Sequence, residues 1–233
     1  MDKKVVILSG AGLSASSGIS TFRDKGGLWE NHDINEICMA GCLNWNYEAT
    51  VNFYNQRRED IKNKKPNNAH KMIARLKNKY PRKIEVITQN IDDLLEKAKC
   101  QDIIHLHGFL QELRCMSCDD IVNIKYEMQN SSNSTCKKCG AKMRPNIVFF
   151  GEAAPMYEKL YKILEDCGLL VVIGTSGNVI DVSSLANFAQ KAILNNLEPS
   201  SAIVEECFDK IYYEDANTAY KKIEKDIEEY INN

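Results

Sequence analysis

Residues 5–15 read Val5-Val6-Ile7-Leu8-Ser9-Gly10-Ala11-Gly12-Leu13-Ser14-Ala15, and this stretch decides the fold. Four consecutive apolar residues without alternation describe a strand buried on both faces, as in a parallel sheet covered by helices. The run passes into Gly10-x-Gly12-x-x-Ala15, a small-residue turn that opens a helix. In that context G-x-G-x-x-A is a dinucleotide fingerprint: the small residues let backbone N–H groups approach a pyrophosphate at a helix N-terminus, where the dipole favours negative charge. A tight strand-to-helix turn without a ligand would carry the same residues, so the motif alone leaves both readings open. A hydride-transferring dehydrogenase also needs a second strand ending in Asp or Glu about 20 residues on. Here residues 21–29 are Thr-Phe-Arg-Asp-Lys-Gly-Gly-Leu-Trp, a polar loop, and Glu30 stands at the right distance in the wrong context. The stretch describes a dinucleotide binder that is not a standard hydride-transfer enzyme.

Ile84-Glu85-Val86-Ile87, Ile103-Ile104, Ile147-Val148-Phe149-Phe150 and Leu169 to Ile173 repeat the buried-strand pattern. Helical candidates fall near 47–63, 67–79, 92–99, 156–166, 182–193 and 217–231, the last with Asn217 as N-cap. Alternating strands and helices predict an α/β fold: a Rossmann-like doubly wound parallel sheet. Residues 30–80 are helical and polar, and 113–144 are rich in cysteine, so both interrupt the sheet. They are expected to form a small lobe, with 1–29, 81–112 and 145–233 making the large one. A ligand cleft between the lobes follows.

The insert at 113–144 carries Cys115-Met116-Ser117-Cys118 and Cys136-Lys137-Lys138-Cys139, two pairs with seventeen residues between them. That spacing belongs to zinc sites, and four thiolates make the closed tetrahedral shell of a structural ion with no open position for water. Four unrelated buried cysteines are the alternative. The other cysteines (Cys38, Cys42, Cys100, Cys167, Cys207) read as thiols. Among 233 residues, Lys and Arg number 30 and Asp and Glu 32, so no basic field argues for nucleic acid or an anionic membrane. No apolar run reaches the ~20 residues of a membrane span. Free thiols and a start at Met1 without a signal or transit segment point to the cytoplasm.

Polar clusters follow two of the strands. Thr88-Gln89-Asn90-Ile91-Asp92-Asp93 ends the strand at 84–87, and His105-Leu106-His107-Gly108 ends the one at 103–104. Ligands of parallel sheets bind at such carboxyl ends, and a histidine there is a candidate general base because its pKa lies near working pH. Spacing does not choose between His105 and His107, and either ring could simply cap a strand end.

Taken in order, the stretch from Gly10 to Arg23, Gln89-Asn90-Ile91-Asp92, His107-Gly108, the two cysteine pairs, Phe150-Gly151-Glu152, Gly174-Thr175-Ser176 and Asn196-Leu197-Glu198 resemble a sirtuin over nearly the whole chain. The resemblance implies that NAD is consumed as a co-substrate. An acyl-lysine oxygen attacks the nicotinamide ribose, nicotinamide leaves, and the acyl group ends on ADP-ribose. It assigns His107 as the base toward a ribose hydroxyl, leaving His105 structural. It places Gly10, Ala11, Gly12, Ala15, Thr21, Phe22, Arg23 and Trp29 in the cofactor site. Gln89, Asn90, Ile91 and Asp92 fall on its nicotinamide-ribose side, with Asn90 and Asp92 in catalytic roles. Gly174, Thr175, Ser176, Asn196, Leu197, Glu198 and Ala216 fall on the adenosine side. The segment containing Val148, Phe150, Gly151 and Glu152 is expected to pair with the substrate peptide as an added strand. One structural zinc, acylated-lysine protein substrates and a monomer complete the expectation.

Tyr54 and Arg57 stand at i and i+3, on one helix face. From residues alone this is a solvated basic face. By resemblance it is the Tyr-x-x-Arg pair of the sirtuin branch that removes malonyl and succinyl groups, where a phenol and a planar guanidinium receive a carboxylate. Activity on acetyl, succinyl and malonyl lysine is the expectation. The chain departs from the family pattern at Ser16 (usually Glu), Ser20 (often Pro) and Phe149 (usually Trp in this branch). Two other functions stay open at this level: ADP-ribose transfer to a protein side chain on the same fold, and a zinc module that binds nucleic acid through Lys137, Lys138, Lys142 and Arg144.

Overall fold

The computed structural model describes residues 3–20 and 34–233. The strand of the opening stretch, β1 (Lys4–Ser9), lies inside a six-stranded sheet with β2 (Ile84–Thr88), β3 (Ile103–His105), β7 (Cys167–Ile173), β8 (Lys191–Asn196) and β9 (Lys210–Tyr213). The spatial order is β3-β2-β1-β7-β8-β9, and every pairing is parallel. Val6, Ile7 and Leu8 are fully buried, and burying each side chain contributes about 1.5–3 kcal/mol. Their pleat sorts them to opposite faces. Val5 and Ile7 pack toward α4 (Asn68–Lys79) and α8 (Ala216–Asn232), whereas Val6 and Leu8 pack toward α6 (Met156–Leu164) and α7 (Val182–Ala186). The sheet is therefore doubly wound, and the strand order reverses between β1 and β7, the crevice where such sheets bind ligands.

A second, antiparallel sheet of order β5-β4-β6 joins β4 (Gly108–Cys115), β5 (Ile121–Asn123) and β6 (Met143–Ile147). It carries the four zinc-type cysteines. Beside it lie α2 (Ile34–Ile37) and α3 (Tyr47–Lys62), whose Ile37, Phe53, Tyr54 and Ile61 share an apolar cluster with Leu110, Ile147 and Phe149. A helical insert of α2 and α3 thus packs beside the four-cysteine module, whereas α4, expected in the same small lobe, packs on the parallel sheet because Ala69, Met72, Ile73 and Leu76 bury against β1 and β7.

Three local expectations are corrected. Residues 147–150 do not form a strand of the parallel sheet: β6 ends at Ile147, and Phe150 makes an isolated bridge to Met39. The helix expected over 182–193 stops at Ala186, and Lys191-Ala192-Ile193-Leu194 runs as buried β8. Helix α8 is capped by Asp215, whose carboxylate accepts the Asn217 N–H, and not by Asn217 itself. Between the strands at 103–105 and 167–173 the chain leaves the parallel sheet to build the metal module and α6, then returns to the opposite side of β1.

Candidate active site and metal centre

The carboxyl ends of β1, β2, β7 and β8 bring together most of the expected cofactor residues. Gly12 donates its N–H to the Gly174 carbonyl at 2.8 Å, and Gly10 donates to Ile173 at 2.9 Å. A Cβ at Gly12 would stand 2.7 Å from the Gly174 Cα, and one at Gly10 would stand 2.7 Å from the Gly174 oxygen. The glycines are thus demanded by the approach of the turn to β7, before any ligand is considered. Ala11 and Ala15 lie on the same short helix, α1 (Gly12–Ala15), or at its start. Gln89 Nε2 reaches Thr175 Oγ1 at 3.1 Å, and Asn196 Nδ2 reaches the Thr175 carbonyl at 2.8 Å, so the two expected halves of the site share one residue. Ala216 is buried at the start of α8, and Ser176 accepts through its carbonyl from the Ser200 hydroxyl. Leu197 is 72% exposed and Glu198 is also exposed, so neither is gathered into this cluster. Thr21, Phe22, Arg23 and Trp29 lie outside the described residues.

The turn 89–93 is held at every residue. The Asn90 amide donates to the Gly10 carbonyl at 3.0 Å and to Ser14 Oγ at 3.2 Å. Ser14 donates its hydroxyl proton to Asp92 Oδ2 at 2.8 Å, and the Leu94 N–H is 3.0 Å from Asp92 Oδ1. Burial pushes the Asp92 carboxyl above its ordinary value, opposed by those two hydrogen bonds. His70 completes the group. Its Nδ1 accepts the Asn67 N–H, so Nε2 carries the proton and donates to Ser14 Oγ at 3.3 Å. Burial drives the His70 pKa down to about 3, so the ring is neutral. Ser14 and His70 are missed by the sequence reading as site residues. The available signal, Asn67-x-x-His70 before an amphipathic run, reads as a helix cap, which it also is.

The two histidines of the H-x-H-G stretch face this turn, and the geometry separates them. His105 has Asn90 O at 2.9 Å from Nδ1 and Glu96 Oε1 at 2.7 Å from Nε2. Both partners only accept, so both nitrogens donate and the ring is an imidazolium. Burial opposes its charge, but Glu96, the Asn90 carbonyl and Asp92 together raise its pKa. His107 Nδ1 lies 3.1 Å from the Gln89 carbonyl and therefore carries the proton. Its Nε2 is left as a lone pair, which receives the Tyr157 hydroxyl at 2.9 Å. Burial lowers the His107 pKa from 6.5, with the Gln89 hydrogen bond pulling the other way. One ring is a fixed clamp and the other is a neutral imidazole whose Nε2 accepts. Tyr157 has no sequence motif, and only the packing of α6 brings it to His107. Gly108 has φ +87°, and a Cβ there would meet the Asn146 oxygen at 1.9 Å, so only glycine lets β4 start directly after His107.

Next to His107, Val148 donates its N–H to the His107 carbonyl at 3.0 Å. Phe150 pairs through its backbone with Cys38 and Ala40, both at 2.8 Å. Glu152 is engaged bidentately by Arg144 (2.6 and 3.0 Å) and also accepts the Phe149 N–H at 2.9 Å, so its carboxylate braces this turn. Gly151 takes φ +81° there. Tyr54 and Arg57 are 3% and 6% exposed, which contradicts a solvated basic face. The Tyr54 ring stacks on Phe149 at 5.7 Å, its hydroxyl donates to Cys38 Sγ at 3.5 Å, and Arg57 lies 3.7 Å from Asp60. Burial, with Cys38 beside it, raises the Tyr54 pKa well above its ordinary value, so the phenol is a donor. Arg144 is likewise buried, which removes it from any basic surface on the metal module.

The four cysteine sulfurs all lie within 4.8 Å of one another, with Cys115–Cys139 at 3.4 Å and Cys118–Cys136 at 3.8 Å. A tetrahedron of sulfurs about 2.3 Å from zinc has edges of about 3.8 Å, so the cluster fits that ion. The Ser117 and Cys118 N–H groups point at Cys115 Sγ at 3.4 and 3.5 Å, as a thiolate would require. Among the described residues no helix is long and apolar enough to cross a membrane.

A doubly wound sheet with a glycine turn at its switch point, a polar turn facing a neutral histidine and a four-cysteine cluster of metal-ligand geometry inserted beside it define a class of dinucleotide-dependent enzyme. Comparison with known proteins narrows this. Residues 10–181 match the model of the Sir2 family, and the chain belongs to that family. It is 49% identical over 230 residues to the NAD-dependent protein deacylase of Campylobacter jejuni subsp. jejuni serotype O:2, covering 98% of this chain and 97% of that protein. Among solved structures it is similar to a mutant Sir2 homologue in complex with ADP-ribose (TM-score 0.86, 30% identity, 99% of this chain and 94% of that one). It is also similar to a Sir2 homologue in complex with NAD (TM-score 0.85, 30% identity, 97% and 90%).

Proposed function

We propose that this chain is an NAD-dependent protein-lysine deacylase that removes acetyl, succinyl and malonyl groups, releasing nicotinamide and O-acyl-ADP-ribose. The carrying observation is the neutral His107, whose Nε2 lone pair is presented beside the Gln89–Asp92 turn. When bound, NAD supplies the electrophilic ribose carbon and the nicotinamide leaving group. The residues at the strand ends suit such a ligand: the glycine turn gives close backbone approach, and Gln89, Asn90, Thr175 and Asn196 offer amides and a hydroxyl. In this reading Asn90 and Asp92 orient the ribose and carboxamide, and Ser14 keeps the Asp92 carboxylate aimed. His107 Nε2 takes the proton of a hydroxyl delivered to it, replacing the Tyr157 hydroxyl it holds in this structure. Val148, Phe150, Gly151 and Glu152 frame the acyl-lysine strand, with Glu152 acting through its brace on Arg144. The four cysteines hold one structural zinc, which leaves no site for water activation.

For the acyl group we assign Tyr54 and Arg57 as the receptor of an acidic tail. A buried guanidinium interacts with a carboxylate far more strongly than one in water. The Tyr54 hydroxyl is spent on a sulfur, a weak acceptor, and exchanges it readily for a carboxylate oxygen. Turnover of matched acetyl-, malonyl- and succinyl-lysine peptides by wild type and Arg57→Met tests this. Loss of a charge-assisted pair predicts a fall in desuccinylation kcat/KM on the order of a hundredfold, with deacetylation within about threefold of wild type. Equal loss on all three peptides would remove Arg57 from acyl recognition.

A further inference from the structure

Asp93 belongs to the turn described above, yet its side chain faces away from the proposed cofactor site and is 3% exposed. Its Oδ2 accepts the Gln111 amide at 2.7 Å and the Tyr126 hydroxyl, and its Oδ1 lies 3.1 Å from Lys97 Nζ. Gln111 is on β4, four residues before the metal-site Cys115, and Tyr126 follows β5 of the same sheet. Lys97 also donates to the Ile61 and Lys62 carbonyls at 2.8 and 3.2 Å, at the last turn of α3, and its ammonium lies 5.1 Å from the Tyr126 ring centre. Three bodies therefore meet on one carboxylate: the cofactor turn, the helix bearing Tyr54 and Arg57, and the metal-bearing sheet.

We propose that Asp93, gripped by Tyr126 and Gln111, is a positioning residue through which the metal-bearing sheet sets the geometry of the Gln89–Asp92 turn. The inference rests on that turn being the NAD site. The backbone supports it from the same side, since the Leu110 N–H is bonded to the Ile91 carbonyl at 2.9 Å. Strand β4 thus touches the turn at two consecutive residues. Gln111 and Cys115 are about 13 Å apart along a strand rising about 3.3 Å per residue. A strand closed by a tetrahedral ion at one end is stiff, and a carboxylate with two neutral donors and an ammonium is a strong attachment at the other. The bland alternative is that these contacts merely hold two lobes together.

Tyr47 provides the control, because it joins the same sheet to α3 without touching the turn. Its hydroxyl donates to the Met143 carbonyl at 2.6 Å and accepts from Gln129 Nε2 at 3.1 Å. The test compares Tyr126→Phe with Tyr47→Phe, each losing one hydroxyl and keeping its ring. NAD affinity is read by titration calorimetry, with zinc content, Tm, and the KM values for NAD and peptide measured alongside. Losing one charge-assisted hydrogen bond predicts that Tyr126→Phe raises the NAD Kd and KM on the order of tenfold, with full zinc content and peptide KM within about twofold. Asp93→Asn moves the same quantities in the same direction. Tyr47→Phe lowers Tm and leaves NAD affinity unchanged. A Tyr126→Phe protein with wild-type NAD affinity, or an equal shift in Tyr47→Phe, would overturn the link. A wild-type protein that binds no NAD would overturn the functional reading itself, and the link with it.

Discussion

At the scale of single residues, protonation separates two histidines that the sequence presents as equivalents. Both follow one strand and both face residues 89–90, but His105 is fixed between two acceptors whereas His107 has one acceptor and one donor. A base must be neutral to act, and burial holds His107 below 6.5. With His107 as the proposed base, activity is predicted to fall as pH drops through that lowered value. The acid limb of kcat/KM is predicted to have its midpoint below 6.5, and His107→Ala is predicted to lose about 10²–10⁴-fold in kcat. A midpoint above 6.5, or the same acid limb persisting in His107→Ala, would assign the proton elsewhere. Spacing could bring a histidine to the strand end, and the resemblance could pick His107. Neither carries tautomers, which depend on Gln89 and Tyr157, residues 18 and 50 positions away. Ser14 and His70 escape for the same reason: their hydrogen bond spans 56 positions.

At the scale of elements, β1 and β7 were legible because near-continuous apolar runs of that length have one reading between glycine and polar breaks. Strand β8 was not, since Ala192-Ile193-Leu194 is a short apolar run behind a helix, and periodicity cannot divide such a run into helix and strand. Residues 147–150 were misread because their burial comes from packing on α3, and not from a place in the parallel sheet. The β4–β5–β6 sheet was legible only through its cysteines. Leu113, Cys115, Ile124, Cys136 and Met143 make a core too small to stand without a cross-link. Zinc binding in such modules contributes about 10–16 kcal/mol of apparent free energy that is also folding energy. Cys136→Ala, or chelation of the wild type, is predicted to abolish amide-exchange protection over residues 108–123 and 136–147. A soluble, zinc-free Cys136→Ala protein with native protection and full activity would contradict a structural role for the metal.

At the scale of the whole molecule, the chain uses one sheet to gather residues that are far apart in sequence. The crevice between β1 and β7 receives the glycine turn, residues 89–93, Gly174 to Ser176 and Asn196, and the small domain lays α3 and the metal sheet against its mouth. The alternation of buried-strand runs and helical stretches forecast an α/β protein with an insert, and the strand order realises it. What composition could not forecast is how the insert is fastened, through buried Arg58 to Leu110 and Asn55, through Asn55 to Gln129, and through Asp93 to Tyr126. These are contacts between polar residues with no periodic signature. Fastened in this way, the small domain holds α3 and the four-cysteine sheet in a fixed place beside the turn at residues 89–93.

The most direct measurement is mass spectrometry of an acetyl-lysine peptide incubated with the protein, with and without NAD. Loss of the acetyl group is predicted only with NAD, one nicotinamide and one O-acetyl-ADP-ribose appearing for each lysine freed. NAD consumption with ADP-ribose gained by the protein or peptide, and the acetyl group retained, would contradict it.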